Sequence, residues 1–183
     1  MKKIVCLLLL IIMFFASGYR KPYKYTIDAG KDAYFHNSLG INYLNDRIYY
    51  AAIQEFKIAI QLSPDTQATA VFKTNLGETY MYIGYPDMAR TCFEDALKMY
   101  GLNFKYYINL ADCYEKLNIV QTKVQEYQAS QSIYDKIMLG LLYIKTGEKR
   151  KGIIVLDDIC TSEPDLLITP AIRQYIKETA KDL

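Results

Sequence analysis

The pentapeptide Leu39-Gly40-Ile41-Asn42-Tyr43 returns as Leu76-Gly77-Glu78-Thr79-Tyr80, Leu110-Ala111-Asp112-Cys113-Tyr114 and Leu139-Gly140-Leu141-Leu142-Tyr143. Successive copies begin 37, 34 and 29 residues apart. A phrase recurring at this period marks helical hairpins, each unable to bury its apolar face alone and therefore stacked on its neighbours. Gly or Ala at the second place lets another helix approach closely, because a larger side chain would hold the two axes apart. Gly costs about 1 kcal/mol relative to Ala in a helix interior, so three of them at equivalent places imply a gain in packing. Downstream of the phrase, Ala52, Phe56, Ala59 and Ile60, and again Ala89, Phe93, Ala96 and Leu97, follow the spacing of a second amphipathic helix. Turn residues at Ser63-Pro64-Asp65, Gly84-Tyr85-Pro86-Asp87, Thr146-Gly147 and Ser162-Glu163-Pro164-Asp165 separate these segments. The expected chain is all-helical, with four helix pairs.

Read together, these residues are similar to the tetratricopeptide repeat, whose pattern joins a Leu-Gly and a following Tyr to later Ala, Phe and Pro residues. The first copy carries His36 in the slot of a large side chain, then Leu39, Gly40, Tyr43, Ala52, Phe56, Ala59 and Pro64. The second has Leu76, Gly77, Tyr80, Ala89, Phe93 and Ala96, with Gly101 in place of the closing Pro. The third keeps Tyr107, Leu110, Ala111 and Tyr114, but Lys123 and Ser130 stand where small residues are usual. Its spacing leaves room only for a short second helix, over about residues 120–129. The fourth has Leu139, Gly140, Tyr143, Gly152, Leu156, Ile159 and Pro164. The resemblance spans residues 33–165 and implies a right-handed all-α solenoid with repeats at 33–69, 70–103, 104–132 and 133–165. Residues 166–183 read as a capping helix, with Thr169 as N-cap, Pro170 at the first helical position, and an apolar stripe of Ala171, Ile172, Tyr175, Ile176 and Ala180.

The resemblance also implies where a partner binds, since such repeats hold extended peptides along the concave face lined by their first helices. That face selects Tyr34, Asn37, Ser38 and Ile41 from repeat one, Thr74, Asn75, Glu78 and Tyr82 from repeat two, and Lys105, Ile108, Asn109 and Asp112 from repeat three. Tyr134, Ile137, Met138 and Leu141 complete it in repeat four, giving a groove polar at its middle and apolar at its C-terminal end. Asn75 and Asn109 precede Leu76 and Leu110 by one residue and occupy equivalent places. Their amides carry both donor and acceptor, which suits a peptide backbone. The carboxylate-binding set of chaperone-binding family members is matched only at Asn75 and Lys105. Asn37, Ile41 and Asn109 depart from it.

At the N-terminus, Lys2 and Lys3 precede an apolar run over residues 4–15, followed by Ala16, Ser17 and Gly18. This is the layout of a secretory signal peptide cleaved after residue 18, and the run is short for a membrane span, which takes about 20 residues. An uncleaved anchor is the alternative. Tyr19 occupies the place a lipidated cysteine would take. Residues 19–32 form a leader to the first repeat. The expected location is the periplasm or the extracellular space, with membrane association only through the N-terminal segment if it stays attached.

Lys2 and Lys3 account for the whole net charge of +2. Without them the chain is balanced and lacks the clustered basic face that nucleic acid requires. No enzymatic activity, cofactor or metal is expected. His36 is the single histidine, phosphate-cradling glycine loops are absent, and no Cys/His cluster has zinc spacing. Cys92 and Cys113 fall on helices expected to pack together, so a disulfide and a pair of small buried hydrophobes both fit. The expected function is a protein–protein interaction scaffold. Two alternatives stand beside it: a subunit self-assembling through its repeat ends, and a membrane-anchored assembly factor.

Overall fold

The computed structural model describes residues 31–182. Nine α-helices and a closing 3₁₀ turn at Ala180–Asp182 make up those residues. The helices are α1 (Ala33–Asn45), α2 (Tyr49–Leu62), α3 (Gln67–Tyr82), α4 (Pro86–Met99), α5 (Phe104–Lys116), α6 (Val120–Gln128), α7 (Ile133–Lys145), α8 (Lys149–Ser162) and α9 (Thr169–Thr179). Each copy of the repeated phrase lies in the odd-numbered member of a pair, and the pairs stack in chain order.

Helix starts are written locally. Asp32 accepts a hydrogen bond from the Phe35 amide at 2.8 Å and caps α1. Thr66 and Thr69 exchange the reciprocal bonds of a capping box at α3. Asn103 caps α5 through the Lys105 amide, and Pro86 supplies the first residue of α4. The basic start of α8 opposes its helix dipole. Lys151 there lies 3.7 Å from the Tyr143 ring centroid and 3.2 Å from a Glu148 carboxylate oxygen, which offsets part of that opposition.

Turns inside the hairpins share one device. Arg47, Gly84, Asn118 and Gly147 all have left-handed backbones, with φ of 59°, 80°, 57° and 87°. Each stands eight residues after the signature leucine of its repeat. Gly adopts this conformation freely and Asn tolerates it, whereas Arg pays a steric cost. Arg47→Gly should therefore raise unfolding stability by about 0.5–1 kcal/mol, seen as a higher urea midpoint at unchanged slope.

Packing within a pair depends on the signature glycines. A Cβ on Gly40 would lie 2.6 Å from the Phe56 ring, one on Gly77 2.5 Å from the Phe93 ring, and one on Gly140 2.7 Å from Leu156. Phe56, Phe93 and Leu156 are fully buried in these notches. The main core runs continuously from Ala52 to Ile172.

Repeat three departs from this scheme. Ala111 fills the notch with a methyl group, and Lys123 stands where Ala52, Ala89 and Gly152 allow close approach. As a result α6 packs chiefly on α7 and only lightly on its own partner α5, while α5 and α7 meet directly. The short second helix expected there is present.

The terminal helix packs on α8, with Ile172 fully buried and Tyr175 and Ile176 half-buried. Two details correct the sequence expectation. The N-cap of α9 is Ile168, and Thr169 is the first helical residue, its hydroxyl donating to the Glu163 carbonyl at 2.8 Å. Ala171 and Ala180 are exposed, so the apolar stripe is narrower than its spacing suggests. On the polar side, Arg173 donates to the Cys160 carbonyl at 3.0 Å and fastens α9 to α8.

Candidate protein-binding face

The first helices are joined edge to edge by polar side chains. Asn75 Nδ2 on α3 donates to Asn37 Oδ1 on α1 at 2.8 Å. Asn109 Nδ2 on α5 donates to Glu78 Oε1 on α3 at 2.9 Å, and Lys105 Nζ reaches the same oxygen at 2.6 Å. Lys145 Nζ on α7 then bridges Asp112 at 2.6 Å and Glu115 at 2.8 Å on α5. These bonds form a ladder across four successive first helices and define one continuous face. Hydrogen bonding to both carboxylates raises the Lys145 pKa against its partial burial, so the bridge is charged at neutral pH.

The ladder changes the role expected of the two equivalent asparagines. Each amide N–H₂ already holds the preceding repeat, and each side chain is half-buried. Asn75 and Asn109 thus tie successive first helices together. Their partners are not equivalent: Asn75 reaches a residue before the signature leucine of repeat one, whereas Asn109 reaches one after that of repeat two.

Tyr34 and Tyr82 are exposed by about two-thirds, at 62% and 67%, and Ile41 by 37%. Lys105 is exposed and Asn37 half-buried. The Tyr82 ring stacks on Tyr49 at 5.9 Å between centroids, which restricts its rotamers while leaving one ring face open. Beside it lies a cavity of about 340 Å³ lined by Glu78, Met81, Tyr82, Lys105, Asn109 and Asp112, with Phe93 also contributing. Five expected inner-face residues therefore converge on one depression.

Repeat four does not contribute as expected. Ile137 is 0% exposed and Leu141 2%, with Met138 equally buried, so these are core residues and not groove residues. The cause is the close meeting of α5 and α7 together with α9. Tyr175 on α9 reaches the Phe104 ring on α5, in an edge-to-face contact at 5.4 Å, and roofs the intervening α7. The apolar C-terminal end of the expected groove is thereby closed.

His36 is buried, and its Nδ1 lies 2.7 Å from Glu55 Oε2, tying α1 to α2. Burial raises the Glu55 pKa. Cys92, Cys113 and Cys160 are free thiols. Burial pushes Cys92 and Cys113 up to about 11, which keeps both protonated and weakly nucleophilic at neutral pH. Among the described residues no group of three or more His, Cys, Asp or Glu side chains converges as a metal site would require. No described helix is long and apolar enough to cross a membrane.

A tetratricopeptide repeat family model matches residues 71–101, the α3–α4 hairpin. Solved structures show the same stacking over most of the chain. PilF of Pseudomonas aeruginosa superimposes with a TM-score of 0.52 at 16% identity, covering 80% of this chain and 68% of its own. MamA does so at 0.51 and 20% identity, over 83% and 90%. A tetratricopeptide repeat protein from Parabacteroides merdae gives 0.51 and 16%, over 82% and 60%. A search of curated proteins returned no match. The described residues thus have the all-α solenoid fold of tetratricopeptide-repeat structures, and their α3–α4 hairpin matches the family model.

Proposed function

We propose that the chain is an exported scaffold that binds a segment of another protein along the first helices of repeats one to three. The observation carrying this reading is the depression beside Tyr82, where an open aromatic face adjoins Glu78, Lys105, Asn109 and Asp112. An aromatic anchor ringed by paired charges and amides suits a segment with one apolar side chain and a hydrogen-bonding backbone. Glu78, Asp112 and Glu115 exceed Lys105 and Lys145 by one carboxylate, a small negative excess on the face. The reading needs no catalysis. Export is supported by the signal-like residues 1–18, which lie outside the described residues.

The test is photocrosslinking in the native cell, with the full chain carrying a photoreactive residue at the exposed inner-face position Ile41, followed by separation of envelope and cytoplasmic fractions. A specific envelope protein should be captured. Its binding should weaken by about 2 kcal/mol in Tyr82→Ala, as expected for an aromatic anchor, with the helical circular dichroism unchanged. Capture of the chain by itself alone would favour self-assembly instead. Capture that survives Tyr82→Ala at unchanged affinity would remove the inner face as the binding site.

A further inference from the structure

Repeat three leaves a second, larger cavity, of about 680 Å³, bounded by the second helices α4 and α6 and by α5 and α7. Its origin is the sequence departure described above. The Ala111 methyl and the long Lys123 side chain keep α6 away from α5, and α6 is too short to fill the gap. Four tyrosines line the space: Tyr107, Tyr114, Tyr127 and Tyr134. Of the residues expected on the inner face, Tyr134 and Met138 of repeat four line it, and Asn75, Tyr82, Lys105 and Asn109 do not.

The lining selects for positive charge. The carboxylates of Glu94, Glu126 and Asp135 outnumber the ammonium groups of Lys98 and Lys123. Burial raises the pKa values of Tyr107, Tyr114 and Tyr127, so their rings stay neutral. Tyr114 donates to Glu94 at 3.2 Å and its oxygen lies 3.3 Å from that of Tyr127, which fixes both rings. A cation is already held there: Lys123 Nζ lies 5.4 Å from the Tyr114 ring centroid and 2.6 Å from Glu126 Oε2. This tethered ammonium rests on an aromatic face beside a carboxylate, the arrangement that recognises organic cations. The volume falls in the range of small-molecule sites.

We propose that this cavity binds an alkylammonium or guanidinium group on an apolar stem, displacing Lys123 from Tyr114. The same chemistry occurs on a free amine and on an arginine or lysine side chain of a peptide. Calorimetric titration of the full chain with agmatine, and separately with a blocked arginyl tripeptide, distinguishes the two sources. Saturable binding of either compound is expected. Lys123→Met, which keeps the stem and removes the internal competitor, should tighten it about fivefold, and Glu94→Gln with Asp135→Asn should weaken it about tenfold. The opposite responses of the two variants separate ligand binding from any general effect on the fold. Absence of binding by both compounds, or binding unchanged in both variants, would overturn the assignment. Tighter binding of agmatine points to a free amine, and tighter binding of the peptide points to a partner side chain.

Discussion

Phe93→Ala should lower the unfolding free energy by about 3–5 kcal/mol, the range for removing a fully buried aromatic ring. Phe93 is 1% exposed, and its ring fills the notch left by the missing side chain of Gly77. The cost is not confined to one hairpin, because α4 also carries α5 on its other side. In a stack each repeat is stabilised largely through its neighbours, so loss at repeat two weakens the whole array. A double-mutant cycle makes the expectation specific. Gly77→Ala alone should destabilise by driving a methyl group into the Phe93 ring. In the Phe93→Ala background the same change should be neutral or mildly stabilising, since the notch is empty and Ala favours the helix by about 1 kcal/mol. Urea unfolding of the four variants measures the coupling, and additive effects would show that ring and notch act independently.

Gly152→Ala should cost about 2 kcal/mol net. Here the obstacle is backbone and not a ring. The added Cβ would lie 2.5 Å from the Gly140 carbonyl oxygen, 2.6 Å from Ile144 Cγ1 and 3.1 Å from the Ile144 nitrogen. A carbonyl inside a helix cannot retreat without moving the helix, so α7 and α8 must separate. Overpacking of this kind costs about 3 kcal/mol at the upper end of its usual range, and improved helix propensity returns about 1 kcal/mol. The separation should also loosen α9, which packs on α8. Hydrogen exchange in α9 accelerating together with that in α8 is the expected signature. Unchanged stability would mean that the hairpin of repeat four tolerates a wider approach than its two facing glycines suggest.

Much of this fold is legible because one short phrase fixes the repeat phase. Once Leu39, Leu76, Leu110 and Leu139 are aligned, the notch residues, the filling side chains and the short α6 follow by counting. The same alignment exposes a signal that local reading overlooks. Gly84 and Gly147 advertise turns by composition, whereas Arg47 and Asn118 do not, yet all four share one offset and one left-handed conformation. The site is less legible. Ile137 and Leu141 lie at the expected angular position on a first helix, but position on a helix does not say what lies opposite. A roof formed by α5 and α9 depends on how closely α5 meets α7, which periodicity does not encode. One cue was present: α7 is apolar on nearly every side, from Ile133 through Met138 to Ile144, as expected of a helix covered all round. Likewise, Asn75 and Asn109 are equivalent in sequence, but their partners depend on which neighbouring residue happens to carry an acceptor.

The closure over α7 sets a length standard for anything lying on the inner face. With adjacent helix axes about 10 Å apart, the open stretch from α1 to α5 measures about 20 Å. An extended chain covers that distance in about six residues. On the proposed reading, the C-terminal helix is an end stop as well as a cover for α8, and a segment bound on this face is a short one whose flanking chain turns away at Phe104 and Tyr175.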